Sequence, residues 1–333
     1  MIKKSLKALF IGFCFMFGMN AFGADRAYIL TTASTGGTYY PVGVALATLV
    51  KIQLQPKQKI GMSAINSAGS GENVKLLRED EAQFGILQGL YGYFAKTGSG
   101  PLKNDGPQER LRSVTMLWPN VEHFVINSEF AKTGTATDFQ NIKGKVAGLG
   151  KKNSGTLGSN KVLLGNLGLD IDKDFELFHQ GYGPSADALA NGKVQGISTP
   201  AGDPVSAIAK LFASKGDKVT ILQFPPELAK KADGGMGLWV PYEIAGGTYP
   251  GLDKKIHTIA QPNFLAVRDS VNEDDVYLIT KTIYANLKFL SSIHKATSKM
   301  SLDKALAGLP IKLHPGALRF YEEAGVKIPA SLK

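Results

Sequence analysis

Apolar positions along the chain fall into short blocks that alternate between a strand-like and a helical period. Tyr28 to Thr32 is a β-prone run, Ser34-Thr35-Gly36-Gly37-Thr38 is a turn, and from Tyr39 onward Val42, Ala45, Leu46, Leu49 and Val50 recur at helical spacing, with Pro41 tolerated in the first turn. That helix is expected to stop near Gln55-Pro56. Lys59 to Ala64 reads as a second strand, Ser70-Gly71-Glu72-Asn73 opens a helix through Val74, Leu76 and Leu77, and Gln83 to Gln88 reads as a third strand. This βαβαβ rhythm implies parallel strands joined by right-handed crossovers.

A second block repeats the rhythm. Gly144 to Leu149 is strand-like, Lys152-Asn153-Ser154-Gly155-Thr156 is a turn, and Val162, Leu163, Leu164 and Leu167 place a helix that ends at Gly168. Phe175 to Phe178, Ser185 to Ala190 and Val194 to Ser198 then read as strand, helix and strand. The two blocks share this plan but no detectable sequence repeat. Between them Thr115 to Ile126, interrupted by Trp118-Pro119, is extended and apolar, as expected of a segment that passes from one lobe to another. Near the end, Phe264 to Val267 is a strand. Asn272-Glu273-Asp274-Asp275 suits a helix start, and Val276, Ile279, Ile283, Leu287 and Leu290 form one apolar helical face. A closing piece from Pro310 carries one more helix, roughly Pro315 to Ala324.

Composition narrows the class. The chain has 333 residues, 44% hydrophobic and 20% charged, enough for about two domains and too apolar for wholesale disorder. One cysteine excludes an internal disulfide and any CxxC metal or redox site, and five scattered histidines leave little for a histidine metal site. Lys3, Lys4 and Lys7, an apolar run from Ala8 to Met19 and the small-x-small site Ala21-Phe22-Gly23 have the layout of a cleaved secretory signal over residues 1–23. Cys14 lies inside it, and the net charge of +10 falls to +7 when the three lysines leave. The pairs Lys151-Lys152, Lys230-Lys231 and Lys254-Lys255 form no stripe and no aromatics interleave with them, so nucleic acid is not expected as a partner.

No catalytic set stands out: there is no GxSxG, HExxH, GxxxxGK[ST] or GxGxxG after a strand, so no enzyme, cofactor or metal is expected. What stands out is the pair of turns rich in Ser, Thr and Gly, each at the head of a helix in an equivalent place of its block. A helix N-terminus carries unpaired N–H groups and about half a positive charge. Glycines let a ligand approach the backbone, and hydroxyls add donors, so each turn suits a carboxylate. In open parallel sheets ligands bind beyond the C-terminal strand ends, where both turns fall. Facing lobes would clamp a molecule with one or two carboxylates without an arginine.

The run Ala33-Ser34-Thr35-Gly36-Gly37-Thr38-Tyr39-Tyr40-Pro41-Val42-Gly43 closely resembles the opening motif of the TAXI family, the substrate receptors of TRAP transporters. Further segments resemble that family in order: Ala68 to Leu77, Phe84 to Gln88, Ile142 to Val146 with Ser154-Gly155-Thr156, Gly246 to Gly251, and His314 to Ala317 with Phe320-Tyr321. The sequence departs from the pattern at Asp80 to Gln83 and at Gln195-Gly196.

The resemblance implies an α/β, two-lobe type II periplasmic-binding-protein fold with a hinge and central cleft. Lobe 1 would comprise residues 24–120 and 260–333, and lobe 2 residues 121–259. It implies a monomeric periplasmic receptor for a small carboxylate solute, a dicarboxylate or an amino acid such as glutamate, delivered to a TRAP membrane permease driven by an ion gradient. By position, Ser34, Thr35, Gly36, Gly37, Thr38, Tyr39, Ser70 and Gln88 would bind from one lobe, and Ser154, Gly155 and Thr156 from the other. Lys151 or Lys152 would pair with a second carboxylate, or the two would be an exposed pair. The alternative reading is a sensor of the same fold that signals to a membrane histidine kinase.

Overall fold

The computed structural model describes residues 25–333, so the expected signal segment and Cys14 lie outside the described residues. In the first sheet β1 (Arg26–Thr31) runs parallel to β2 (Ile60–Ile65) on one side and to β3 (Phe84–Gln88) on the other. Helix α1 (Tyr39–Gln58) joins β1 to β2, α2 (Ser70–Arg78) joins β2 to β3, and α3 (Gly89–Thr97) follows β3. Strand β4 (Leu111–Val121) and β11 (Ile256–Arg268) pair antiparallel, and β11 also pairs antiparallel with β3. Strand β10 (Val240–Ile244) pairs with the first half of β11, which gives the order β10-β11-β3-β1-β2 with β4 on β11.

The second sheet repeats the core of this order. Strand β6 (Val146–Gly148) lies between β7 (Glu176–Leu177) and β8 (Gly196–Ser198), parallel to both, and β8 pairs antiparallel with β5 (Phe124–Asn127), which carries β9 (Val219–Leu222) at the edge. Helix α4 (Gly155–Asn166) and the single turn α5 (Ile171–Asp174) join β6 to β7, and α6 (Tyr182–Ala190) joins β7 to β8. Helices α7 (Ser206–Lys215) and α8 (Pro226–Asp233) flank β9 in sequence. The expected parallel blocks are therefore present, each with its first strand in the middle. All of β3 is buried, and α1 buries Val42, Leu46, Leu49 and Val50 on the sheet. Burying side chains of this size contributes roughly 1.5–3 kcal/mol each.

Two expectations for the first lobe needed revision. Helix α1 continues through Pro56 to Gln58 and ends on Lys59 in the left-handed region, its N–H bonded to Gln55. A proline in the last turn removes one backbone bond, too little to stop a helix whose face is already buried. The apolar face from Val276 to Leu290 is not one helix. Helix α9 (Glu273–Ala285) breaks at Asn286, whose backbone leaves helical geometry and whose side-chain amide donates to the Thr282 carbonyl, and α10 (Leu287–Ile293) restarts. Asparagine offers the backbone this local alternative. Helix α11 (Pro315–Glu323) closes the chain against the first sheet, where the Tyr321 hydroxyl donates to the Val114 carbonyl.

The chain crosses between the sheets where β4 gives way to β5, through Glu122 and His123, and returns along β11. The crossings are tied together: Glu122 N donates to the Ile259 carbonyl at 2.9 Å and Thr258 Oγ1 to the Glu122 carbonyl at 2.8 Å. Both side chains are fully buried. Burial pushes the Glu122 carboxyl up to about 8, with only the Trp239 indole at 3.0 Å and Gln261 pulling it back. Burial lowers the His123 imidazole to about 4. A neutral ring here uses both nitrogens, Nδ1 donating to the Val121 carbonyl (2.9 Å) and Nε2 accepting from the Tyr249 hydroxyl (2.7 Å). The result is an α/β molecule of two lobes joined by paired crossovers, with a cleft between them.

Candidate ligand-binding cleft

Parallel strands send every following helix off from the same sheet edge, and the two edges face each other. The N-cap residues of five helices, Thr38 (α1), Gly69 (α2), Gln88 (α3), Ser154 (α4) and Gly181 (α6), all line one cavity between the lobes. Only Ser154 caps its own helix through its side chain, accepting from Leu157 N at 3.0 Å; the other four have no side-chain cap. Five positive helix ends therefore converge on one space between the lobes, partly open to solvent.

The cleft is closed in this structure. Gln88 Nε2 donates across it to the Gly155 carbonyl (3.0 Å) and to Ser159 Oγ (2.7 Å), and Gln261 Nε2 donates to the same Ser159 hydroxyl (3.2 Å). Glu72 N donates to the Asn153 carbonyl at 2.9 Å, the Tyr91 hydroxyl to the Ser154 carbonyl at 3.2 Å, and Gly202 N to Thr38 Oγ1 at 3.2 Å. The lobes approach closely where glycines stand. A Cβ on Gly71 would lie 2.4 Å from the Asn153 carbonyl oxygen, and one on Gly155 would lie 2.6 Å from Gln88 Oε1.

Nine of the sequence-predicted residues border this cavity: Ser34, Gly37, Thr38, Tyr39 and Ser70 with Gln88 from the first lobe, and Ser154, Gly155 and Thr156 from the second. Thr35 is exposed and Gly36 packs toward the Gly183 backbone, so neither lines it. Lys151 lines the cavity; Lys152 is exposed and does not. The Tyr39 side chain turns its hydroxyl into the protein, onto Asn263 Oδ1, and burial raises its ionisation well above the usual phenol range. Gln88 lines the cavity but spends both its N–H donors on the opposite lobe.

Sequence reasoning missed Ser159, Gly181 and Tyr182. Tyr182 borders the cavity and its hydroxyl donates to the Pro200 carbonyl (2.7 Å) beside Thr156 Oγ1 (2.8 Å). The signal was present in Gly181-Tyr182-Gly183-Pro184, a glycine turn with proline in the first helical turn, so α6 begins at Tyr182 and not at Ser185.

Among the lining residues Lys151 carries the only formal charge; no Asp, Glu or Arg faces the space. Lys151 has no ion-pair partner among the described residues. The site is thus a positive, amide- and hydroxyl-lined socket that two lobes complete together.

The sequence profile of the NMT1-like family matches residues 30–325. Among solved structures, MatC from Rhodopseudomonas palustris with bound malate is similar at 14% identity and a TM-score of 0.53, over 90% of this chain and 97% of that one. A protein from Bordetella bronchiseptica RB50 is similar at 12% identity and a TM-score of 0.52, over 90% and 82%. The alkanesulfonate-binding protein SsuA from Xanthomonas axonopodis pv. citri bound to MOPS is similar at 13% identity and a TM-score of 0.48, over 93% and 97%. At these identities the likeness concerns the fold.

Proposed function

The chain belongs to the NMT1-like family, and from that premise we propose that it is the solute receptor of a membrane transporter, capturing a small organic acid between hinged lobes. The observation that carries this reading is the convergence of five helix N-termini and Lys151 on one interlobe cavity without an acidic side chain. Such a cavity attracts a carboxylate and repels cations. The finer reading is a TAXI-type receptor that works as a periplasmic monomer and serves a TRAP permease. The Ala33 to Gly43 motif supports it, as does a helix-head arrangement that needs no arginine. The lobes are taken as residues 24–120 with 260–333, and 121–259. No chemical step is assigned to the site; closure shields the solute and creates a surface spanning both lobes for the transporter.

The test is a melting series on protein freed of carried solute by unfolding and refolding, against mono- and dicarboxylates and amino acids. A captured acid raises Tm in a concentration-dependent way, by the equivalent of about 2.7 kcal/mol at a hundred times Kd. Absence of any shift across the panel overturns the carboxylate reading. Uptake by proteoliposomes that depends on receptor and an ion gradient, without ATP, tests the transporter class.

A further inference from the structure

The geometry points to Lys151 as the residue that reads ligand charge, making the cavity selective for a small dianionic acid that carries no ammonium group. This deepens the proposed function and rests on it. The helix heads supply partial charges and N–H donors, enough to hold one carboxylate. Lys151 brings a full charge to the same cavity, and no carboxylate among the described residues pairs with it. Lys151 is only half-buried in the closed cleft, and a monoanion held by the helix heads leaves its ammonium without a counter-charge there. A second carboxylate on the ligand supplies that counter-charge and a charge-assisted hydrogen bond.

The same inventory disfavours an amino acid. An α-ammonium in this space finds hydroxyl and carbonyl oxygens but no acid, and it sits among five positive helix ends and Lys151. The nearby carboxylate of Glu72 is held on its own helix, accepting from Ala68 N, and does not line the cavity. A 2-oxo or unsubstituted diacid of the same length meets none of this repulsion. Lys152 is the internal control, being the adjacent lysine, exposed and off the cavity.

The experiment is calorimetry at neutral pH with succinate, 2-oxoglutarate, glutamate and butyrate on the wild type, Lys151→Gln and Lys152→Gln. The expected result is a diacid preferred over both glutamate and butyrate by at least about 10-fold. Lys151→Gln should lower diacid affinity on the order of 10- to 100-fold, weaken butyrate far less and narrow the gap to glutamate. Lys152→Gln should bind as the wild type does. Equal loss of diacid and butyrate in Lys151→Gln, or glutamate bound as tightly as 2-oxoglutarate, overturns the assignment while leaving a carboxylate receptor in place. Failure of all four acids to bind overturns the carboxylate reading, and this inference with it.

Discussion

In the first sheet β1 sits between β2 and β3, and in the second β6 sits between β7 and β8, all parallel, with an antiparallel neighbour, β11 or β5, outside β3 or β8. Each middle strand leads through a Ser/Thr/Gly turn into a helix at the cavity. The two halves nevertheless contribute different things. The first offers three helix heads without side-chain caps, and its Thr38 hydroxyl is engaged with Gly202 across the cleft. The second caps α4 through Ser154, and brings Lys151, the one formal charge among the lining residues, and the hydroxyl of Ser159 that receives two amides from the first. Topological equivalence therefore sets where a residue points but not what it does. One half makes an amide-lined seat; the other supplies charge and a latch, and neither alone encloses the cavity.

The largest effect that could break this view concerns Gly71. Its backbone is not in the left-handed region, so alanine suits α2 and raises helix propensity by roughly 1 kcal/mol. Yet the new methyl meets the Asn153 carbonyl oxygen at 2.4 Å, a backbone atom of the opposite half. Gly71→Ala should leave the ligand-free Tm unchanged or higher and weaken binding of any stabilising acid on the order of 100-fold, since overpacking costs about 1–3 kcal/mol. Calorimetry beside a melting curve reads both. Unchanged affinity would mean that one half holds the solute by itself.

A smaller effect sharpens the account of the latch. Ser159→Ala removes the hydroxyl that receives Gln88 and Gln261 without touching the cavity lining. The closed state then leaves one N–H of each buried amide without its acceptor, and affinity should fall about 10- to 30-fold, through faster release with little change in the association rate. Gln88→Ala should act similarly, and the double variant should lose little more than either alone, because both remove one latch. Stopped-flow release rates decide; additive losses would show two independent interactions and a ligand contact for Gln88.

Much of this was legible in the sequence. Periodicity and glycine punctuation located β1 to β3 and β6 to β8, and the turns at Ser34 and Ser154 fell on the cavity because the C-terminal ends of parallel strands share an edge. What was not legible depends on the lobes meeting. Thr35 and Thr38 are the same residue type three positions apart, yet only Thr38 is a helix cap on the cavity and Thr35 is exposed. Lys151 and Lys152 are adjacent, and the left-handed glycine at 150 with the turn at Asn153 places one on the cavity and the other outside. Ser159 lies mid-helix in an unremarkable stretch, and only the approach of Gln88 and Gln261 from the other half gives it a role. Glu122 and His123 read as an ordinary polar pair within an apolar run, and their burial follows from both crossovers being tied side by side.

That crossover yields the smallest predicted effect and the one that tests whether the connection between the halves is independent of the seat. Glu122 holds its proton up to about pH 8 when folded and ionises near 4.5 when unfolded, so the folded state binds more protons between those values and stability falls as pH rises through them. His123 is neutral down to about 4 when folded and protonates near 6.5 when unfolded, so it makes stability rise from pH 4 to 6.5, with Asp203 as the charged group that opposes its shift. The two slopes oppose each other below 6.5, and above it Glu122 acts alone. Ligand-free protein should therefore be nearly level in stability between about pH 4.5 and 6.5 and lose on the order of 1 kcal/mol from there to pH 8. Glu122→Gln keeps an acceptor for the Trp239 indole and removes the ionisation, so its stability should level off above 6.5 in place of falling. Urea unfolding at a series of pH values measures the difference. An identical alkaline decline in Glu122→Gln would move its cause away from the crossover, whereas a flattened curve with unchanged ligand affinity at pH 6.5 would show that the hinge stabilises the fold without setting the grip.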